Sequence, residues 1–188
     1  MIRILLFTIC CSFVWNACKN PTAHPDEKKE ITEVPYKCLP CGYGCDTILF
    51  DAPGNCPHCK MELVKKESIR HQEIQPAGIC SLSGEDVVFL DVRTPEEFNG
   101  TAAEKFGAIK GAINIPVQEL EQRIKELDAY RHKKMVVYCS HSHRSPMASY
   151  LLTKNGFTNI SNMLGGMSVW QEQVKDASCN QRYYQNQQ

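Results

Sequence analysis

Met135-Val136-Val137-Tyr138-Cys139-Ser140-His141-Ser142-His143-Arg144-Ser145-Pro146 is the stretch on which the fold turns. Four apolar residues make a short buried strand, and a polar loop follows at once. Ser145 is placed to cap a helix whose first residue is Pro146, where a missing N–H costs nothing. Loop amides and a helix N-terminus then converge on the sulfur of Cys139. An ordinary cysteine, with a pKa of about 8.5, is only a few per cent thiolate at neutral pH; a helix N-terminus and nearby cations lower that value to roughly 3.5–7.5. Arg144 supplies one cation, and His141 or His143 another when protonated. A core cysteine has no need of a polar loop with an arginine behind it, so the pattern marks Cys139 as a nucleophile rather than a packing thiol.

Outward from this loop the chain alternates strand and helix. Val87-Val88-Phe89-Leu90 is a short continuous apolar run ending in the polar Asp91, as expected of a strand buried on both faces of a parallel sheet. Val117, Leu120, Ile124 and Leu127 recur at intervals of three and four, which places them on one stripe of a helix covering a sheet face. Met147, Leu151 and Leu152 continue a helix after the loop. Asn155-Gly156 ends it, and Ile160-Ser161-Asn162-Met163 reads as a further strand. This order predicts an α/β fold, a parallel sheet flanked by helices. In such sheets the ligand crevice lies beyond the carboxyl ends of the strands, where Cys139 falls.

The loop resembles the active-site loop of rhodanese-type sulfurtransferases. Three further stretches resemble that family's signatures in order: Leu90-Asp91-Val92-Arg93-Thr94-Pro95-Glu96-Glu97-Phe98, then Gly107-Ala108-Ile109-Lys110-Gly111-Ala112-Ile113-Asn114-Ile115-Pro116, then Leu164-Gly165-Gly166-Met167-Ser168-Val169-Trp170. The resemblance covers residues 68–175 and implies a rhodanese-like sheet. It departs from the family at Ala108 and Lys110, where His and Pro are usual, and at Ser142, where a loop glycine is common; a serine is strained there if the position needs a positive φ. Phosphatases and arsenate reductases of the related fold place five residues between Cys and Arg, whereas here there are four. The shorter ring suits a sulfur atom better than a tetrahedral oxyanion. The resemblance implies that Cys139 takes the outer sulfur of a small anionic donor, becomes a persulfide and passes the sulfur to a thiol or cyanide-like acceptor. Ser140, His141, Ser142 and His143 would line the substrate site, and the planar fork of Arg144 would anchor the loop and bind the donor's anionic end. Asp91 and Arg93 read as a salt bridge at a strand end, Glu96 and Glu97 as the solvated first turn of a helix begun by Thr94-Pro95, and Trp170 as packing.

A second concentration of chemistry lies upstream. Cys38-Leu39-Pro40-Cys41 is followed, after fourteen intervening residues, by Cys56-Pro57-His58-Cys59. Two CxxC knuckles at this spacing match tetrahedral structural zinc, with Cys38, Cys41, Cys56 and Cys59 as ligands, and so small a segment has little other core. Pro53-Gly54-Asn55-Cys56-Pro57-His58-Cys59-Lys60-Met61-Glu62-Leu63 also resembles the short heavy-metal-binding domains found beside transport ATPases and efflux adaptors, with Cys41 where those usually have His and Lys60 where they have Gly. Cys45 could replace one ligand, pair with Cys80 or Cys179, or stay unpaired. Cu(I) also selects thiolates, and a disulfide-stapled knot is the alternative to a metal. His58 reads as a spectator.

At the N-terminus Arg3 precedes an apolar stretch, residues 4–14, too short to span a bilayer and fitting a secretory signal. Cys18 follows Ala17 as in a bacterial lipoprotein signal, with plain cleavage to a soluble periplasmic protein as the alternative. The expected organisation is a signal over residues 1–17, a linker over 18–35, a zinc-ribbon or heavy-metal-binding-like module over 36–66, the rhodanese domain over 68–175 and a polar tail over 176–188 with Cys179 incidental. Lys plus Arg equals Asp plus Glu at 21 each, so no global field recruits nucleic acid, and the membrane is met through a lipid anchor. No organic cofactor is expected. The reading is an exported, membrane-anchored sulfurtransferase; the alternative is a metal-binding or redox relay lipoprotein whose rhodanese domain carries sulfur or docks a partner.

Overall fold

A computed structural model describes residues 35–40, 42–82 and 86–187. The signal, Cys18, most of the linker and Cys41 lie outside them. In chain order the strands and helices are β1 (Tyr36–Lys37), β2 (Leu49–Phe50), β3 (Val64–Lys65), β4 (Gln72–Ile74), α1 (Pro76–Ile79), β5 (Val87–Asp91) and α2 (Pro95–Asn99). They continue as β6 (Ala108–Ile109), β7 (Ile113–Asn114), α3 (Leu120–Arg123), β8 (Lys134–Tyr138), α4 (Ser145–Lys154), β9 (Ile160–Met163), α5 (Trp170–Gln173), α6 (Ala177–Tyr183) and β10 (Tyr184–Gln185).

The predicted α/β architecture is present. Five parallel strands run in the order β4-β9-β8-β5-β7. Alternate residues of the central strands feed opposite cores. Leu90, Met135 and Val137 join Leu120, Leu127 and Leu152 on one face; Phe89, Val136 and Tyr138 join Met163, Met167 and Trp170 on the other. This two-sided burial is why β5 and β8 are continuously apolar rather than alternating. Trp170 is wholly buried, as its packing role requires.

The stripe Val117, Leu120, Ile124 and Leu127 lies against the first core. Only Leu120–Arg123 is α-helix, and Ile124–Tyr130 tightens into a 3-10 helix, in which residues three apart still share a face. Two sequence expectations are corrected. The helix after the loop starts at Ser145, not Pro146, and no side chain caps it. The segment expected as a polar tail is folded. Asp176 caps α6 by accepting from Ser178 N and Cys179 N, and β10 pairs antiparallel with β6. Tyr183 meets Phe89 edge-on and Tyr184 stacks on Trp170, so two aromatic rings hold down a stretch whose composition is otherwise polar. Cys179 is not incidental: it forms a disulfide with Cys80, 99 residues away in sequence.

Upstream, β2-β1-β3 make a small antiparallel sheet. Its core is Cys38, Cys45, Cys56 and Leu63, with Tyr36, Phe50, Cys59 and Met61 packed against them.

Candidate functional site

Cys139 leaves the end of β8 and is 1% exposed. The loop behind it is closed by a brace that spans from its second residue to its last. Ser140 Oγ donates to Glu97 Oε1 at 2.8 Å, and Arg144 donates both terminal nitrogens to the same carboxylate, at 2.6 and 2.7 Å. Glu97 is delivered by α2, where Thr94 and Glu97 form a capping box: Thr94 N donates to Glu97 Oε2 and Glu97 N to Thr94 Oγ1. The Arg144 guanidinium, helped by Thr94 N and Ser140 against the opposing effect of burial, holds the Glu97 carboxyl down at about 2. Glu97 in turn raises Arg144 above its ordinary value, against burial, with Cys139 adding to the effect.

Glu97 was therefore misread as a solvated helix residue. The Thr94-x-x-Glu97 capping box was visible in the sequence, but its link to a loop more than 40 residues away was not. The Arg144 fork, expected to hold the donor's anionic end, is engaged with Glu97.

The floor of the loop is backbone. Met167 N donates to Cys139 O and Ser168 N to Ser140 O, both at 2.9 Å. Gly166 makes this approach possible: with φ +67, any Cβ there would lie 2.4 Å from Ser140 O and 2.5 Å from Cys139 O. The signature glycine is thus a steric requirement of the loop. Ser145 Oγ, at the start of α4, lies 3.5 Å from Cys139 Sγ. Ser142 takes the left-handed conformation, φ 59, that its position foreshadowed, and its buried hydroxyl donates to Met163 O at 3.3 Å. The two loop histidines both rest on aromatic rings. His141 meets Phe106 edge-on at 5.1 Å, and His143 stacks flat on Tyr43 at 5.4 Å.

Asp91 and Arg93 form the expected salt bridge, fully buried, with Arg93 Nη2 at 2.7 Å from Asp91 Oδ2 and also donating to Gly107 O at 2.9 Å. This ties the end of β5 to the loop entering β6.

In the upstream module, the sulfurs of Cys38, Cys45, Cys56 and Cys59 all lie within 4.8 Å of one another, the first three buried. Cys41 lies outside the described residues, and Cys45 completes the described quartet. Burial, reinforced by Cys59 and Cys56, pushes the Cys38 thiol far up. Burial works the same way at Cys56, but the backbone N–H groups of Cys59 and His58 outweigh it and bring that thiol to about 7. Cys56 N donates to Met61 O and Lys60 N to Cys56 O, with Lys60 left-handed at φ 65. Zinc–sulfur bonds of about 2.3 Å place tetrahedral ligand sulfurs roughly 3.8 Å apart. Four thiols already gathered on this scale fit a thiophilic cation with small shifts.

Residues 81–173 match the model of the rhodanese-like domain family, and residues 43–66, which hold Cys45, Cys56 and Cys59, match that of the heavy metal binding domain. The thiosulfate sulfurtransferase PspE of Escherichia coli (strain K12) is 30% identical over 87 residues, which cover 46% of this chain and 78% of PspE. The uncharacterized protein YqhL of Bacillus subtilis (strain 168) is 42% identical over 86 residues, 46% of this chain and 62% of YqhL. A rhodanese-related protein from Thermoplasma volcanium, solved by crystallography, is 33% identical; the match covers 56% of this chain and 96% of that one, with a TM-score of 0.48. The chain belongs to the rhodanese-like family, and ahead of that domain it carries a segment similar to the heavy metal binding domain.

Proposed function

We propose that the protein is a sulfurtransferase that moves sulfane sulfur through a Cys139 persulfide. The Cys139 thiolate attacks the outer sulfur of a thiosulfate- or persulfide-type donor. The donor's S–S bond breaks, and sulfite or the donor thiolate departs with the electron pair. An acceptor thiolate or cyanide then attacks the outer sulfur of the persulfide and regenerates the Cys139 thiolate. The observation that carries this reading is the braced loop. Ser140, Glu97 and Arg144 fix its ends, Gly166 lets the backbone of the next segment support it, and Arg144 sets a permanent positive charge beside the thiol. Arg144 acts in this reading chiefly as an anchor and a charge. The exposed His141 and His143 face the substrate as parts of the loop, and Ser142, buried with its hydroxyl on Met163 O, shapes the loop from beneath.

The module's four thiols hold a metal ion, zinc in our reading, as a structural element. Four protein thiols fill a tetrahedral ion's coordination with no open position, which favours a structural ion over transferable cargo. That is also what weighs against the relay alternative. We further propose export and lipid anchoring at Cys18; the Cys80–Cys179 disulfide supports an oxidising compartment.

The test is mass spectrometry of the full chain after thiosulfate, with Cys139→Ser alongside and cyanide added last. One added sulfur mass on the Cys139 peptide, released by cyanide as thiocyanate, is the expected result. An unchanged mass in a folded protein with a reduced Cys139, or sulfur loading that persists in Cys139→Ser, moves the chemistry elsewhere.

A further inference from the structure

The stretch that joins two thiols of the metal cluster also touches the sulfur loop. Cys38 and Cys45 both belong to the quartet, and Pro40 and Gly42, between them, meet the parallel sheet. The buried Asn162 on β9 donates from Nδ2 to Pro40 O at 3.1 Å. Gly42 lies against Leu164 and Gly165, where a Cβ would sit 3.8 Å from Leu164 Cδ2. Gly42 N donates to Asp46 Oδ2 at 2.7 Å, and Asp46 N donates to Tyr43 O at 3.0 Å; together they fold the turn that presents Tyr43. The Tyr43 ring then lies on His143 with only 6° between the planes. Tyr43 is 50% exposed, so its place depends on this turn and on the ring it covers. Beside the stack is a cavity of about 490 Å³ that Cys45, Cys59, His58 and Ile48 line together with Tyr43 and His143. One space thus borders both the metal thiols and the sulfur loop.

We propose that Tyr43 is a positioning residue of the sulfurtransferase site: tied down by metal at the cysteines that flank its segment, it fixes His143 and the loop around Cys139, so that metal occupancy sets how readily the thiol is reached. The inference rests on the Cys139 and metal readings above. Its physical basis is the poverty of the module's own core, which consists largely of the thiols themselves. The wholly buried Leu39 anchors the Cys38 end, but of residues 42–50, which carry Tyr43, only Cys45 is buried, so that end is held by little apolar burial without an ion, and folding of such a module is the binding of its ion. A thiol that is 1% exposed meets a soluble reagent only when its surroundings open, so its alkylation rate reports how firmly the loop is held.

The experiment follows iodoacetamide modification of Cys139 in the full chain by peptide-resolved mass spectrometry. Four samples are compared: zinc-loaded wild type, wild type stripped by a chelator with metal loss verified, and zinc-loaded Tyr43→Ala and Tyr43→Phe. Loss of one ring stack predicts that stripping and Tyr43→Ala each speed Cys139 alkylation by roughly 2- to 12-fold. Tyr43→Phe keeps the wild-type rate because it keeps the ring, and stripping Tyr43→Ala adds little. Equal rates in loaded and stripped wild type overturn the proposal. So does Tyr43→Ala no faster than Tyr43→Phe, a chain that takes up no zinc, or loss of the parallel sheet's circular dichroism on stripping. Failure of the sulfurtransferase reading is told apart by the thiosulfate test: absent sulfur loading with these rate differences intact removes the chemistry and leaves the coupling.

Discussion

Cys139 and the quartet Cys38, Cys45, Cys56 and Cys59 are the same side chain in opposite settings. Cys139 stands at the end of a strand buried on both faces, inside a core that includes Leu90, Val137, Leu152 and Phe157; that sheet needs no ion. Three of the four upstream thiols are themselves most of the buried cluster they sit in, and the fourth, Cys59, packs against it. In the proposed function, one thiol surrounded by a hydrogen-bonded loop and an arginine serves reaction, and four thiols converging on one point serve an ion. The neighbours, and not the cysteine, decide the chemistry, and the two regions should therefore fail in different ways.

The largest expected effect removes the ion. Cys56→Ser, or a strong chelator, should abolish stoichiometric zinc and unfold the module, because binding to such sites is worth on the order of 10 kcal/mol and is spent on folding them. The parallel sheet should survive. Zinc content by elemental analysis, read beside the urea midpoint of the sheet, checks this; zinc retained at full stoichiometry in Cys56→Ser breaks the comparison. Next comes the covalent tie in the other region. Reducing Cys80–Cys179 opens a loop with a sequence separation of 99, for which chain entropy predicts a loss of about 4–5 kcal/mol. It should fall on the sheet and spare the zinc. A reduced protein with an unchanged urea midpoint would show that the disulfide constrains little.

A smaller effect lies in the loop brace. Glu97 is held at about 2 against an ordinary 4.5. Its carboxylate is thus favoured in the folded state, and its contribution is fully present above about pH 4.5 and lost as pH falls toward 2. Both partners are partly exposed, at 20% for Glu97 and 28% for Arg144, so the contribution is about 1–2 kcal/mol after solvent screening. Glu97→Gln should cost that much at pH 7 and progressively less between pH 5 and 3. A penalty that stays constant across that range would mean the charge on Glu97 is not what holds the loop.

Much of this was legible because it is local. The apolar runs of β5 and β8, the three- and four-residue stripe through Leu120, the loop after Tyr138 and the Asp91–Arg93 bridge all depend on residues within a few positions of one another. What escaped shares a different property. Glu97 meets Arg144 across 47 residues and Cys80 meets Cys179 across 99, while of the readings left open for Cys45 the folded module selects the one in which it joins the quartet. No periodicity encodes such pairings; they exist only once the sheet has brought the segments together. Glu97 and Cys179 were read by their immediate surroundings, a helix first turn and a polar tail, and in both cases the distant partner decided.

The finest distinction between the two regions lies in their backbones. Among the described residues, the non-glycine positions with positive φ are Lys60 and Ser142, one beside the metal thiols and one in the sulfur loop, each where the resemblance led us to expect glycine. The left-handed conformation costs a side-chain-bearing residue about 1–2 kcal/mol, while glycine's extra freedom in the unfolded chain returns roughly 0.5–1 kcal/mol of that. Lys60→Gly should therefore stabilise the module by about 0.5 kcal/mol, since the Lys60 Nζ bond to Pro57 O is exposed and contributes little. Ser142→Gly gains the same amount but forfeits a buried hydroxyl bond to Met163 O, worth about 1 kcal/mol, and should come out about 0.5 kcal/mol less stable. Zinc competition with a chromogenic chelator measures the first and the urea midpoint of the sheet measures the second. Equal signs would mean that the Ser142 hydroxyl has no hold on β9, and that the loop, like the knuckle, is shaped by its backbone alone.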